Sequence, residues 1–169
     1  MSFKDLAANR YSVRKYKDKP VQQEKIDQIL EAARLAPTAK NKQPQRIKII
    51  QTKDDLAKAD LCTPCRFGAP LVFLVCYDAN EEKVWQRLGG QHSCKIDIAI
   101  VVTHMMLQSQ DLGLGSVWVG YFDPKKTTET FALGEDLVPC AMLMAGYPAD
   151  DSKPSPMHSD RKPLCDILI

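Results

Sequence analysis

A chain of 169 residues with 44% hydrophobic and 26% charged side chains has the length of one ordinary domain and enough apolar material for a packed core, which excludes a disordered segment. A formal net charge of +2 is too small for a whole-protein field that gathers nucleic acid, so any anion site must be local. The N-terminus shows no leader and no apolar run approaches the roughly 18 residues of a membrane span, so a cytoplasmic chain with no membrane partner and six free thiols is expected.

Ser2-Phe3-Lys4-Asp5 has the form of a capping box and predicts a short helix ending near Asn9, with Phe3 and Leu6 inward. From Val21 to Ala36, Ile26, Ile29, Leu30 and Ala33 recur at helical spacing, and Pro37 stops the helix. Arg46 to Gln51 alternates as a strand, and Thr52-Lys53-Asp54-Asp55 opens another helix. Leu71 to Tyr77 is continuously apolar, which predicts a strand buried on both faces. Gln86 to Ser93 reads as a surface loop, and Ile96 to Leu112 as a central helix that is apolar nearly all round and ends at Gly113 and Gly115. Val117 to Val119 is a short strand. Asp123 then caps a helix with Pro124 in its first turn, running to Leu133. Val138 to Gly146 is the last strand. The fold class is α+β, a single domain over 1–169 with 148–169 as a Pro-rich extended arm that must lie on the domain or on a second subunit.

Four segments could carry chemistry. In an extended stretch, side chains at alternate positions point the same way. Arg10, Ser12 and Arg14 would then aim two guanidinium forks and a hydroxyl at one place, as a phosphate cradle does; the plainer alternative is a solvated basic stretch. Ala36 to Pro44 is a loop dense in short polar groups, suited to a flat heterocycle or to nothing in particular. Gly113-Leu114-Gly115 follows a helix rather than a strand, and Trp118 stands where a third glycine belongs, so a dinucleotide fingerprint is rejected. Arg161 could reach the same phosphate as Arg10, or lie in a solvated tail. Cys62-Thr63-Pro64-Cys65 could be a redox pair or, with His92 and Cys94, a zinc site; two ordinary thiols and no metal is the plainer reading. His104 reads as a satisfied core histidine.

Taken in order, these segments resemble one family. Arg10-x-Ser12-x-Arg14, then Ala36-Pro37-Thr38-x-x-Asn41-x-Gln43-Pro44, resemble the entry and second motifs of the nitroreductase family. Asp97, then Gly113-Leu114-Gly115, Trp118, Gly120 and Phe122-Asp123, are similar to its central block, and Ala145-Gly146-Tyr147-Pro148 with Arg161-Lys162-Pro163-Leu164 to its closing motifs. The resemblance implies a sandwich with a central, mostly antiparallel sheet flanked by helices, in an intertwined homodimer with FMN at the interface. It implies that Arg10, Ser12, Arg14 and Arg161 hold the phosphate. Pro37, Thr38, Asn41 and Gln43 would line the flavin, and backbone near Val119, Gly120 and Tyr121 would face its N5, with no catalytic side chain. The activity implied is electron transfer from NADH or NADPH to a nitroaromatic, quinone or similar small acceptor by a ping-pong mechanism. Flavin reduction, reduction of one specific metabolite, and a flavin-binding regulatory module without turnover are the alternatives. Two departures stand out. Gln45 follows Pro44 where the family often has Trp, and the Asn and Lys that longer members use for the ribityl chain are absent, leaving only Arg66 to substitute.

Overall fold

The structure is a computed structural model that describes residues 2–83 and 93–169. Helix α1 (Phe3–Asn9) opens on a reciprocal box: the Ser2 hydroxyl accepts the Asp5 amide at 3.1 Å, and the Asp5 carboxylate accepts the Ser2 amide. Helix α2 (Gln23–Leu35) buries Ile26, Ile29 and Ala33, as their spacing requires. A 3₁₀ turn (Ala39–Asn41) leads to β1 (Gln45–Ile50), followed by α3 (Lys53–Cys62) and β2 (Leu71–Asp78). Then come α4 (Cys94–Asp111), β3 (Gly115–Val119), α5 (Pro124–Thr130) and β4 (Leu137–Gly146).

The strands form one antiparallel sheet in the order β1-β2-β4-β3. Its two central strands are covered on both faces. Leu71, Phe73, Val75 and Tyr77 of β2 pack with Ile26, Ile29 and Ala33 of α2 and with Ile98, Val101, Val102 and Met105 of α4. The alternate residues Val72, Leu74 and Cys76 pack with Ala59 and Cys62 of α3 and with Phe131. Burial on both faces is why β2 is an unbroken apolar run rather than an alternating one, even in an antiparallel sheet. The sandwich expected from the sequence is therefore the fold.

The edge strand β3 is partly covered by the segment after α1. Ser12 bridges Ser116 in parallel, the Val13 amide donates to the Ser116 carbonyl at 3.1 Å, and Tyr16 bridges Pro148. This crossing explains Gly115. A Cβ there would collide with Val13 and lie 2.9 Å from Cγ of Pro148. The close approach that Gly115 permits is thus between pieces of the protein itself, and Gly113, at φ +73°, alone ends α4. Burial pushes the Tyr16 phenol well above its ordinary range, and its hydroxyl donates to the Val13 carbonyl at 2.9 Å.

Some expectations need correction. Phe3 is 72% exposed, not inward, because α1 lies at the surface of the chain. Helix α4 is not covered all round: Ile96 is 47% exposed, since one side of the helix lies outside the contact with α2 and the sheet. Helix α5 stops at Thr130 rather than Leu133, because Phe131 turns into the core and Ala132 takes φ +47°. The arm after β4 contains two 3₁₀ turns, Pro156–Ser159 and Leu164–Asp166. Its first part lies on its own N-terminal segment: the Tyr11 hydroxyl donates to Ser152 Oγ at 3.2 Å, and His158 Nε2 donates to the Ala8 carbonyl at 3.0 Å. No helix among the described residues is long and apolar enough to cross a membrane.

Candidate functional site

The arm and the N-terminal segment enclose a cleft of about 230 Å³ lined by Arg10, Tyr11, Ser12, Arg14, Ser155, Met157, His158 and Arg161. All four residues expected to cradle a phosphate therefore line one place. The extended backbone from Arg10 to Arg14 puts three of them there, and the crossing of the arm delivers Arg161. Among the described residues, no ion pair involves Arg10, Arg14 or Arg161, although six other pairs form across the molecule. The Arg14 guanidinium donates to the Ser12 carbonyl at 3.3 Å and lies 6.0 Å from the centre of the Phe67 ring. Three guanidinium groups gathered without a carboxylate repel one another, so the cleft suits a compact anion of more than one charge.

Tyr11, Ser155, His158 and Phe67 are the residues that sequence reasoning missed here. Tyr11 has the wrong parity for an alternating cradle but turns toward the arm. Ser155-Pro156 was readable as a turn start, and its hydroxyl accepts the Met157 amide at 3.4 Å. Nothing local marks Phe67, which reaches Arg14 through a loop held at φ +56°.

The second segment is built differently. Residues 36–44 pass through a 3₁₀ turn with positive φ at Lys40, Asn41 and Gln43. The Thr38 hydroxyl accepts the Gln43 amide at 3.0 Å, and the Gln43 side chain donates to the Asn41 carbonyl at 3.2 Å. Asp97, 3% exposed on α4, accepts the Ala39 amide at 3.0 Å. The turn is thus a rigid rim that presents Pro37, Asn41 and Gln43 to solvent and keeps Thr38 half-buried. None of these four lines the arginine cleft of the same chain; Gln43 lines a shallow depression with Leu30, Arg34 and Arg46 instead.

The third segment follows β3. Val119 makes the last pairing of the strand, with Met142. Gly120 has nothing within 4 Å of where a Cβ would stand, and Tyr121 is 76% exposed. The Thr63 hydroxyl donates to the Tyr121 carbonyl at 2.6 Å, and the Asp123 amide donates to the Cys62 carbonyl at 3.0 Å. A backbone that is fixed beside open space can present amide groups to a ligand.

The model of the Nitroreductase family matches residues 7–147, which include the stretch from Arg10 to Arg14, the turn at 36–44 and the segment after β3, while Arg161 lies beyond the matched residues. The chain belongs to the nitroreductase family. A crystal structure of a nitroreductase family protein from Clostridium difficile 630 superposes with a TM-score of 0.92 at 42% identity, covering 100% of this chain and 98% of that one. An FMN-dependent nitroreductase from Clostridium difficile R20291 gives 0.78 at 28% identity, covering 93% of each. An FMN reductase [NAD(P)H] from Bacillus subtilis is 31% identical over 172 residues, spanning 90% of this chain and 68% of that protein.

Set within the nitroreductase family, this chain's departures have physical accounts. Arg66 is not free to substitute for missing ribityl ligands. It is held in a fork by Asp60 at 2.6 Å through both Nε and Nη2, and it donates to the Ala69 carbonyl at 2.9 Å. Gln45, where the family often has Trp, donates to the Ala33 carbonyl near the end of α2 at 3.3 Å. None of the six cysteines is in a disulfide, and the described residues contain no group of three potential metal ligands; His92 lies outside the described residues, as does most of the loop expected at 86–93. His104 is half-buried, with Nδ1 2.9 Å from the Ile100 carbonyl.

Proposed function

We propose that this protein is an FMN-dependent oxidoreductase that takes hydride from NADH or NADPH and passes the electrons to a nitroaromatic, quinone or similar small acceptor in alternating half-reactions. The observation that carries this reading is the cleft in which Arg10, Arg14 and Arg161 meet with Ser12 and Ser155 and without a carboxylate partner. That donor set fits the dianionic phosphate of FMN: guanidinium forks pair two oxygens at a time, and hydroxyls supply the remaining donors. FMN, when bound, supplies the hydride-accepting position and the two-electron chemistry. The chain's own residues bind and orient it. The arginines neutralise the phosphate, and backbone from Val119 to Tyr121 presents amide groups to N5, so no side-chain acid is required.

The same reading makes the protein a homodimer. Pro37, Thr38, Asn41 and Gln43 line no part of the arginine cleft within one chain, and a second copy is the source that would bring its own rim to this cleft. The surface favours such a pairing. Leu164, Ile167 and Leu168 are exposed at the end of the arm, and Phe3 and Leu35 are exposed beside a groove of about 560 Å³ between α1, α2 and α4. The test is an absorbance spectrum of the purified protein, then titration with FMN and riboflavin, then anaerobic addition of NADH and NADPH. Bound flavin, a clear preference for FMN, and bleaching by at least one nicotinamide are expected. Equal affinity for FMN and riboflavin, or a flavin that neither nicotinamide reduces, would overturn the reading.

A further inference from the structure

The stretch from Gly120 to Asp123 has left the sheet and is held from one side by the end of α3. Thr63 caps that helix, its amide donating to the Ala59 carbonyl at 3.1 Å. Its side chain is buried, with the residue 2% exposed. The hydroxyl donates to the Tyr121 carbonyl at 2.6 Å and accepts the Cys65 amide at 3.1 Å, so its proton has one direction to point. Next to it, the Asp123 amide donates to the Cys62 carbonyl at 3.0 Å, and the Asp123 carboxylate accepts the Lys126 amide at 3.0 Å to start α5. The Tyr121 side chain, 76% exposed, contributes little packing that would fix this backbone, and Gly120 has open space beside it. Two amides, those of Gly120 and Tyr121, therefore lie between a strand ladder ending at Val119 and an anchor made by one hydroxyl.

We propose that Thr63 is a positioning residue for flavin chemistry: by fixing the Tyr121 carbonyl, its hydroxyl sets the aim of the Gly120 and Tyr121 amides at N5. This rests on the FMN site proposed above. Thr63 transfers no proton and touches no substrate. The hydroxyl is needed rather than the shape, because valine fills the same volume but removes the partner of the part-buried Tyr121 carbonyl and of the Cys65 amide. Oxidised flavin offers a lone pair at N5 to an amide, whereas in reduced flavin N5 carries a hydrogen. A well-aimed amide therefore favours the oxidised form, and loosening it weakens oxidised FMN selectively.

The test compares full-length parent, Thr63→Val, Thr63→Ala and Thr63→Ser. Measured are the affinities for FMN and riboflavin, the two-electron midpoint potential of bound FMN, and hydrogen exchange of the Asp123 amide in the flavin-free protein. In the Val and Ala variants, oxidised FMN should bind about tenfold more weakly relative to reduced FMN, raising the midpoint by about 30 mV. The Asp123 amide should exchange faster. The ratio of FMN to riboflavin affinity should stay parental, because the arginine cleft is untouched, and Thr63→Ser should restore every readout. Parental midpoint and exchange in the Val or Ala variant, or a Ser variant displaced as far as Val, would overturn the role of Thr63 while leaving the FMN site standing. If Val and Ala both fail to fold, a Ser variant that departs from the parental midpoint overturns it. A parent that binds no flavin at all overturns the site and this role together.

Discussion

Asp97, in the first turn of α4, accepts the Ala39 amide at 3.0 Å and the Ser93 hydroxyl at 2.8 Å, so the rim that presents Pro37, Asn41 and Gln43 hangs from the central helix. Asp97→Ala leaves a buried hydroxyl and a half-buried amide unpartnered, a cost of about 1–3 kcal/mol. In a chain of this size that corresponds to a fall in Tm of about 2–4 °C per kcal/mol. Asp97→Asn keeps an acceptor for Ala39 and should lose much less. Thermal unfolding of both variants checks this. Equal losses would mean that the contact with Ala39 does not hold the rim.

Gly115 and Gly120 should respond in opposite ways to the same change. Gly115→Ala drives a methyl group into Val13 and Pro148, at about 1–3 kcal/mol, and displaces the segment that carries Ser12 and Arg14. Gly120→Ala meets nothing in the protein and should leave the Tm near parental. If the backbone at 120 faces flavin, the added methyl lowers FMN affinity without lowering stability. Differential scanning calorimetry with and without FMN separates the two.

The elements were legible in the sequence because their periodicities and caps are local. Ser2 with Asp5, Thr52 with Asp55, and Asp123 before Pro124 each stand where the helix begins. The arginine cleft was half legible. Alternation placed Arg10, Ser12 and Arg14 together, whereas for Arg161 the residues alone left a solvated tail as open as the phosphate site, and the resemblance favoured the site. Tyr11, Ser155 and His158 join the cleft through the crossing of the arm over the N-terminal segment, and Phe67 reaches Arg14 from the loop after α3, contacts that spacing along the chain does not predict. Gly115 was misread for the same reason: its neighbours Val13 and Pro148 are distant in sequence. Phe3 was expected inward from helical spacing, which cannot tell a face buried within the chain from one left for another surface.

The exposed end of the arm bears on assembly. Light scattering should give twice the 19.0 kDa chain mass at low micromolar concentration. The double change Ile167→Asp with Leu168→Asp places two charges where apolar side chains are exposed, and should shift the distribution toward monomer and reduce bound flavin. A flavin-loaded monomer of the parent chain would refute both the dimer and the shared site.

Burial pushes the Cys76 thiol up to about 12, with Cys140 nearby adding to the shift. Below the ordinary thiol range, both folded and unfolded chains keep this proton and the group is silent. Above it, the unfolded chain ionises first, so the native state loses stability as pH rises toward 12. Cys76→Ala should therefore flatten the alkaline limb of a stability–pH curve. In the native protein at pH 8, Ellman's reagent should modify exposed Cys165 quickly and Cys76 only after unfolding.

Arg161 lines the arginine cleft but is itself exposed, donating to the Asp160 carbonyl at 2.6 Å. Its exposure sets the scale of its contribution, because water screens what a buried guanidinium would deliver in full. One charge-assisted bond lost to a phosphate is about 1.5–3 kcal/mol, or roughly 10- to 150-fold in affinity. Arg161→Ala should therefore weaken FMN by that factor, while riboflavin binding barely changes and excess FMN restores the holoprotein. The fold should be untouched, since this part of the arm buries nothing. Lys162→Ala is the control: its neighbouring side chain is exposed and lines no part of the cleft. Fluorescence titration of both variants decides the matter. If Arg161→Ala and Lys162→Ala weaken FMN equally, the effect is a general loss of positive charge, and the arm's place in the phosphate site falls away. If only Arg161→Ala does, and does so for FMN alone, the residue pairs with the phosphate from the far end of the chain.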